Sequence, residues 1–204
     1  MEDSIRKELK RIYNNHAHER NASNKQDWKI KSRKIFLDHL KSFKLNSLLE
    51  IGAGTGQDSL FFMENNIDVT AIDLSEENVR YCKEQGVKAK VMDLYNLEFP
   101  DKSFDSIYSL NCLLHIPKSD IDFILDEIKR VMKKNGLFYL GVYGGRDFEG
   151  KNEKDNYPEK RFFSFYKFED YQRILANYFE IIISEKINLE KNFEFHYYIL
   201  KKLV

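Results

Sequence analysis

Three acidic residues, each at the end of a predicted buried strand, carry the chemistry that this sequence indicates most clearly. Glu50 precedes the glycine-rich segment GAGTG at residues 52–56, Asp73 ends the next apolar run, and Asp93 follows the run after that. A carboxylate attracts cations and accepts hydrogen bonds from hydroxyl and amine donors. Glycines in such a turn allow unusual backbone angles and let a ligand approach the main chain closely.

The spacing of the glycines distinguishes between ligand classes. Dinucleotide-binding turns follow G-x-G-x-x-G, whereas this turn reads G-x-G-x-G after an acid. Glu50 would repel a pyrophosphate but attract an amine or a sulfonium. Asp73 can accept hydrogen bonds from ribose hydroxyls, and Asp93 can accept them from an adenine amine. The acids together predict a site for an adenosine with a positive, amino-acid-like tail; the alternative is that they only cap strand ends.

The elements that position these acids alternate along the chain. Short apolar runs at residues 47–51, 69–72, 89–92, 104–110 and 137–143 are separated by helical patterns. This alternation is typical of βαβ units around a parallel sheet. Helical patterns also flank this core at residues 36–43 and 168–178, two further strands are expected at 179–184 and 193–200, and a loop at 144–160. We therefore predict an α/β fold with one Rossmann-like, doubly wound, mostly parallel sheet and a C-terminal hairpin.

Composition narrows the possible partners. The chain has 33 basic and 33 acidic residues among 204, which argues against broad nucleic-acid binding, and two cysteines, which suits a reducing cytoplasm. Its apolar runs are too short for a membrane span and its N-terminus has no secretory signal. Residues 1–46 nevertheless hold twelve basic and six acidic residues. This basic arm is either a solvated helix face or a segment that closes over an anionic ligand group.

Taken together, the motifs resemble those of class I S-adenosylmethionine-dependent methyltransferases over most of residues 45–145. The resemblance rests on EIGAGTG at 50–56, VTAIDLS at 69–75, VMDL at 91–94, FDSIYSLN at 104–111 and VMKKNGL at 131–137. The last motif departs from the family, where Pro-Gly is commoner than Asn135-Gly136. The resemblance implies an N-terminal helical arm or lid at residues 1–44, a methyltransferase domain at 45–204, and terminal strands added antiparallel to the far edge of the sheet.

The resemblance also implies roles for individual residues. Glu50 and the turn of Gly52, Ala53, Gly54 and Gly56 should hold the methionine amine of S-adenosylmethionine, the cofactor that becomes S-adenosylhomocysteine. The main chain at Leu110 or Asn111 should complete this amine pocket. The expected adenosine contacts are the ribose diol with Asp73, the adenine face with Leu74, the adenine amine with Asp93 and the ring edge with Leu94.

Methyl transfer depends mainly on alignment of donor and acceptor, and a base is needed only if the acceptor keeps its proton. His115 follows the fourth strand and is the candidate catalytic base; alternatively it is a helix-start histidine bonded to nearby backbone. The candidate acceptor contacts are Tyr13, Tyr143, Arg146, Phe163 and Tyr166, although an aromatic run beside a sheet can also be core. The arm carrying Tyr13 is either a lid or a fixed helix. The histidines form no metal-binding pattern.

The sequence therefore predicts methyl transfer from S-adenosylmethionine to an oxygen or nitrogen of a small molecule, without nucleic-acid or membrane partners, by a monomer or homodimer. One alternative is an RNA methyltransferase that uses the basic arm. A second is a non-catalytic protein that binds S-adenosylmethionine, and a third is a nicotinamide-dependent oxidoreductase.

Overall fold

A seven-stranded sheet forms the centre of the molecule. The computed structural model describes residues 3–190 and 192–203. The strands of this sheet are β1 (Ser47–Ile51), β2 (Asp68–Asp73), β3 (Lys88–Val91), β4 (Phe104–Leu110), β5 (Met132–Gly144), β8 (Phe179–Glu190) and β9 (Phe193–Lys202). Their order is β3-β2-β1-β4-β5-β9-β8. The first five pair in parallel, whereas β9 runs antiparallel to β5 and β8. The predicted α/β fold with its C-terminal hairpin is confirmed.

Helices cover both faces of the sheet. They are α1 (Asp3–Asn15), α2 (Ala17–Ala22), α3 (Asp27–Ser42), α4 (Gln57–Glu64), α5 (Glu76–Glu84), α6 (Ile121–Val131) and α7 (Phe168–Ala176), with two short 3-10 turns at Leu113–His115 and Lys118–Asp120. Leu48 and Leu49, adjacent on β1, belong to two different core clusters, one packed against α3 and α4 and the other against α6 and α7. Because successive side chains of a strand point to opposite faces, this places apolar layers on both sides.

A small second sheet corrects one expectation. Residues 144–160 were expected to be a loop because they are polar and contain glycine. Within them, β6 (Phe148–Lys151) pairs antiparallel with β7 (Phe162–Phe165), a strand that follows that segment. Alternate residues of β6 are exposed or half-buried, so this strand lacks the apolar run by which the strands of the main sheet were recognised.

The N-terminal helices pack onto the carboxyl-terminal side of the first strands. Asn14 of α1 accepts hydrogen bonds from Ser75 Oγ (2.6 Å) and from the Glu77 amide (3.2 Å). Lys10 forms an ion pair with Glu76, and together with Asn14 it lowers the pKa of Glu76 to about 2. These contacts join α1 to the start of α5. On α3, the half-buried Trp28 packs against the core cluster beneath that helix.

The order of the strands creates the place where a ligand can bind. The chain passes from β1 to β2 and β3 on one side of β1, and β4 then lies on the other side of β1. The sheet therefore has a topological switch point between β1 and β4. In open α/β sheets, ligands bind outside the carboxyl ends of strands at such a point.

Candidate active site

The glycine-rich turn after β1 forms the floor of the candidate site. Gly52 and Gly54 have left-handed φ angles of 72° and 56°. The Gly54 amide donates to Asp73 Oδ2 (2.8 Å), which joins the turn to the end of β2. A Cβ on Gly52 would lie 2.6 Å from Cys112 Cβ, whereas a Cβ on Gly54 would meet nothing closer than 3.7 Å. Gly52 is therefore required by packing, and Gly54 leaves open space above the backbone.

Two connected cavities lie above this turn. The first encloses about 730 Å³ between the ends of β1, β2 and β4 and helix α1. The second encloses about 1050 Å³ on the side of α2 and α3. Both volumes are partly open to solvent. The residues that line both cavities are Tyr13, Arg20, Gly52, Gly54, Leu110, Asn111 and His115.

The residues predicted to contact the cofactor divide between these cavities. Asp73, Leu74, Asp93 and Leu94 line the first, and Glu50 and Ala53 line the second. Gly56 lines neither. Its position, with φ of 90°, instead allows the turn to pack against α5, because a Cβ there would lie 3.1 Å from Cys82 Sγ.

Asp73 is buried and held by the protein itself. Its carboxylate accepts hydrogen bonds from the amides of Gly54 and Ser75 (2.9 Å) and from Asn78 Nδ2 (3.2 Å). Burial raises the pKa of Asp73, and these hydrogen bonds oppose that rise. The Ser75 amide and Asn78 Nδ2 both donate to Oδ1 and the Gly54 amide donates to Oδ2, so Oδ2 can still receive a hydroxyl donor from the cavity.

Asp93 lies in the same wall but already has a cationic partner. Arg6 Nη1, on α1, donates to Asp93 Oδ2 (2.9 Å), and the Tyr95 amide donates to Oδ1 (3.0 Å). Helix α1 thus contacts the acid that was expected to receive an adenine amine, a contact that no local sequence pattern indicated.

Glu50 differs most from an ordinary carboxylate. Its side chain is buried, and Ser59 Oγ donates a hydrogen bond to it. Burial and the nearby negative charge of Asp58 raise the pKa of Glu50 to about 8. Asp58 itself forms ion pairs with Lys25 and with Arg33 (2.7 Å). Glu50 is therefore mostly protonated at neutral pH in the protein alone.

His115 takes part in a directed chain of hydrogen bonds. Its Nδ1 donates to the Phe162 carbonyl (2.6 Å), which fixes the tautomer, so Nε2 accepts from the Tyr13 hydroxyl (2.6 Å). Arg161 Nη1 donates to the Tyr13 oxygen (2.9 Å). Burial and the charge of Arg161 lower the pKa of His115 to about 3, and burial raises the pKa of Tyr13. His115 is thus neutral near pH 7, and its free lone pair is used by Tyr13.

Arg161 is fixed by a buried carboxylate. Asp155 accepts two parallel hydrogen bonds, from Arg161 Nε (2.8 Å) and Nη2 (2.6 Å). The sequence analysis had not identified Asp155. A bidentate pair of this kind holds the guanidinium in one orientation.

The predicted acceptor contacts fall into two groups. Tyr13, Tyr143 and Phe163 line the second cavity. Arg146 and Tyr166 line neither: Arg146 lies over the rings of Phe148 and Phe165, and Tyr166 stacks on Tyr171 in the core. We therefore do not retain Arg146 and Tyr166 as substrate contacts.

Two cations of the second cavity were missed by sequence reasoning. Arg20, on α2, reaches the space above Gly54 and lies over the Tyr13 ring at 5.1 Å. Lys29, on α3, lies over the Tyr143 ring at 4.7 Å. The positions of Tyr13 and Arg20, seven residues apart on nearly continuous helices, are the one signal that could have indicated a shared face.

Residues 3–190 and 192–203 contain neither a metal-ligand cluster nor a membrane-spanning helix. No group of three or more His, Cys, Asp or Glu side chains there could hold a metal ion. No helix there is long and apolar enough to span a bilayer.

Known sequences match the central part of the chain. Residues 49–140 match the family model described as a methyltransferase domain. A ubiquinone biosynthesis O-methyltransferase of Pelagibacter ubique is 31% identical over 122 residues, which cover 57% of this chain and 48% of the relative. A sterol 24-C-methyltransferase of Gibberella zeae is 30% identical over 105 residues, covering 47% of this chain and 27% of the relative. The chain thus spans about half, or less, of the length of these relatives.

Solved structures share the fold over nearly the whole chain. The crystal structure of the Burkholderia thailandensis 1,6-didemethyltoxoflavin-N1-methyltransferase, with 1,6-didemethyltoxoflavin and S-adenosylhomocysteine bound, superposes with a TM-score of 0.75. The superposition covers 97% of this chain and 88% of that one, at 18% sequence identity. The matched domain and the motifs within it support a class I S-adenosylmethionine-dependent methyltransferase over residues 49–140, and the superposition shows the same fold over nearly the whole chain.

Proposed function

We propose that this chain transfers a methyl group from S-adenosylmethionine to an oxygen or nitrogen of a small molecule. The observation that carries the proposal is the position of three acids at the ends of three adjacent strands. Asp73 and Asp93 line the first cavity and Glu50 lines the second, and the two cavities share the glycine turn as part of their lining. A cationic nucleoside suits three carboxylates in this arrangement, and a pyrophosphate does not.

The residues present fit the adenosine part of the cofactor. The first cavity combines Asp73, for a ribose hydroxyl, with the apolar side chains of Leu74 and Leu94 for the adenine ring. Asp93 can accept a hydrogen bond from the adenine amine, because Arg6 occupies only part of the acceptor capacity of this carboxylate.

The polar tail of the cofactor fits the boundary between the cavities. Asn111 Oδ1 is buried there without a hydrogen-bond partner among the described residues, and a bound amine would supply one. The same ammonium group would favour the ionised form of Glu50. Arg20, which lies above Gly54, has the charge and position to bind the carboxylate of the methionine tail.

The bound cofactor supplies a methyl group on a sulfonium, which an acceptor lone pair displaces while the electron pair of the breaking C–S bond passes to sulfur. The chain contributes alignment and exclusion of water. Tyr13 and His115 form the wall beside the turn, and helices α1 and α2 cover the cavities as a lid.

The geometry argues against His115 as a strong base. Moving the Tyr13 proton to His115 is unfavourable, because burial raises the pKa of Tyr13 above its ordinary value and lowers the pKa of His115 to about 3. We propose that His115 instead positions the Tyr13 hydroxyl, which contacts the acceptor. The acceptor then has to offer a lone pair that needs no base, or lose its proton to solvent.

The charges of the arm favour a small molecule over RNA. Within the described residues, many of its basic side chains are engaged by acids of the same chain: Arg6 by Asp93, Lys10 by Glu76, Arg11 by Glu159, and Lys25 and Arg33 by Asp58. Cations engaged in this way are less available to phosphates of a nucleic acid.

Calorimetric titration of the wild-type protein with S-adenosylhomocysteine and, separately, NADH tests the proposal. We expect micromolar binding of S-adenosylhomocysteine, no binding of NADH, and transfer of labelled methyl groups to small molecules in an acceptor panel. Preferential NADH binding would overturn the cofactor assignment. Transfer to RNA alone, with retention on filters that falls steeply with salt, would replace the small molecule with the RNA alternative.

A further inference from the structure

Lys29 is a buried cation without an anionic partner. The residue is 7% exposed, and no hydrogen bond or ion pair joins its Nζ to another residue in the described part of the chain. Its contacts are with aromatic faces, at 4.7 Å from the Tyr143 ring centroid and 5.9 Å from that of Phe195. Cation–π contacts are weak compared with the cost of burying an unpaired ammonium, so these rings do not compensate that cost fully.

The charged neighbours of Lys29 do not neutralise it. Asp58, whose charge favours the protonated form of Lys29, is already engaged by Lys25 and Arg33. Burial and then the charges of Lys25 and Arg20 lower the pKa of Lys29 to about 8. Because Lys29 lines the second cavity, a ligand in that cavity can supply the missing negative charge.

The cofactor does not account for this charge. Its ammonium group is matched by Glu50 and its carboxylate by Arg20 in the arrangement proposed above. The two remaining cations of the cavity wall are paired, Arg161 with Asp155 and Lys25 with Asp58. The sulfonium and Lys29 then remain as two positive charges facing the acceptor space. This count rests on the proposed function.

We propose that the methyl acceptor carries an oxyanion, a carboxylate or a phosphate-type group, which Lys29 binds in the second cavity. The rings of Tyr143 and Phe163 line the same space and give it planar apolar walls. An anionic acceptor also suits a site whose histidine is a weak base, because an oxyanion or a group conjugated with it offers electrons without prior loss of a proton to the protein.

Binding of small probes to the protein saturated with S-adenosylhomocysteine tests this. The probes are benzoate and phenyl phosphate, with benzamide and benzyl alcohol as neutral counterparts, measured by calorimetry for the wild type and for Lys29→Met. Lys31→Met is the matched control, because Lys31 lies on the same helix and is exposed. S-adenosylhomocysteine is titrated into each variant first.

We expect at least one anion to bind about ten-fold or more tightly than its neutral counterpart in the wild type and in Lys31→Met. In Lys29→Met this preference should disappear while affinity for S-adenosylhomocysteine changes less than about two-fold. A preference for benzoate indicates a carboxylate acceptor, and one for phenyl phosphate a phosphate-type acceptor.

Three results would overturn the proposal. The first is a wild type that shows no preference for either anion over its neutral counterpart, which includes a wild type that binds none of the four probes. Another is a preference that survives Lys29→Met. The third is a large loss of S-adenosylhomocysteine affinity in Lys29→Met, which would assign Lys29 to the cofactor carboxylate. Failure of the wild type to bind S-adenosylhomocysteine at all would instead refute the proposed function.

Discussion

Replacing Glu50 by Gln should stabilise the protein and weaken cofactor binding at the same time. In the folded protein, burial and Asp58 raise the pKa of Glu50 from 4.5 to about 8. In the unfolded chain, Glu50 loses its proton at the ordinary pKa. This ionisation favours the unfolded state, so the free energy of unfolding falls as the pH rises from about 4.5 to about 8. Gln keeps an acceptor for Ser59 Oγ but cannot ionise in either state.

The expected difference follows from the pH interval. At pH 7 the unfolded chain is about 2.5 units above the ordinary pKa of Glu50, while the folded protein still holds the proton. At about 1.4 kcal/mol per unit, the variant should have a free energy of unfolding about 3 kcal/mol higher than the wild type at pH 7. Below pH 4.5 the two proteins should be about equally stable.

Urea unfolding of both proteins at pH 4.5, 6, 7 and 8 measures this difference. Glu64→Gln, the same change at an exposed site on α4, is the control and should give no pH-dependent gain. A Glu50→Gln variant that is less stable at pH 7, or whose gain does not depend on pH, would refute the reasoning.

The same group should release protons when the cofactor binds. At pH 7, an ammonium beside Glu50 favours its ionised form, so binding of S-adenosylhomocysteine should release close to one proton per site. Calorimetry in buffers of different ionisation enthalpy measures that number. Glu50→Gln should bind about ten-fold or more weakly and release almost none.

Three other substitutions test separate parts of the site. Asp73→Asn should weaken S-adenosylhomocysteine binding about ten-fold or more in calorimetry, since charge-assisted hydrogen bonds are worth about 1.5–3 kcal/mol; unchanged affinity would remove its ribose role. Gly54→Ala and Gly86→Ala both place a Cβ at positive φ without a clash, 3.7 Å from Arg20 Nη2 at Gly54 and with no neighbour within 4 Å at Gly86. Urea unfolding should therefore show a similar loss of about 1 kcal/mol, but only Gly54→Ala should reduce binding. Tyr13→Phe leaves His115 Nε2 without its donor and should lower kcat about ten-fold with little change in S-adenosylhomocysteine affinity; an equal kcat would exclude contact of the hydroxyl with the acceptor.

The central sheet was predictable because its signals are local. Strand β1 and strand β4 have the predicted bounds, and each is an apolar run between turn residues. The acids at the ends of β1, β2 and β3 were expected at one edge of the sheet because parallel strands end there, and they line the two cavities at that edge. Strand β6 was missed because its own composition does not indicate a strand. It forms by pairing with β7, which lies beyond residues 152–161.

The cationic part of the site could not be predicted for a different reason. Tyr13 and His115 are 102 positions apart, and Arg6 and Asp93 are 87 apart. Contacts of this kind depend on how the N-terminal helices dock, which charge patterns do not specify. The raised pKa of Glu50 likewise depends on burial and on Asp58, and the motif alone indicated only a carboxylate.

The position of Trp28 gives the molecule a built-in optical reporter. The chain contains one tryptophan, and it precedes Lys29 on α3. Indole emission from this protein therefore comes from a single place, a half-buried residue of α3 next in sequence to Lys29, which lines the second cavity. Binding of a ligand next to Lys29 can be tested for a change in this emission without any attached dye, and stopped-flow mixing would give the rate of that change.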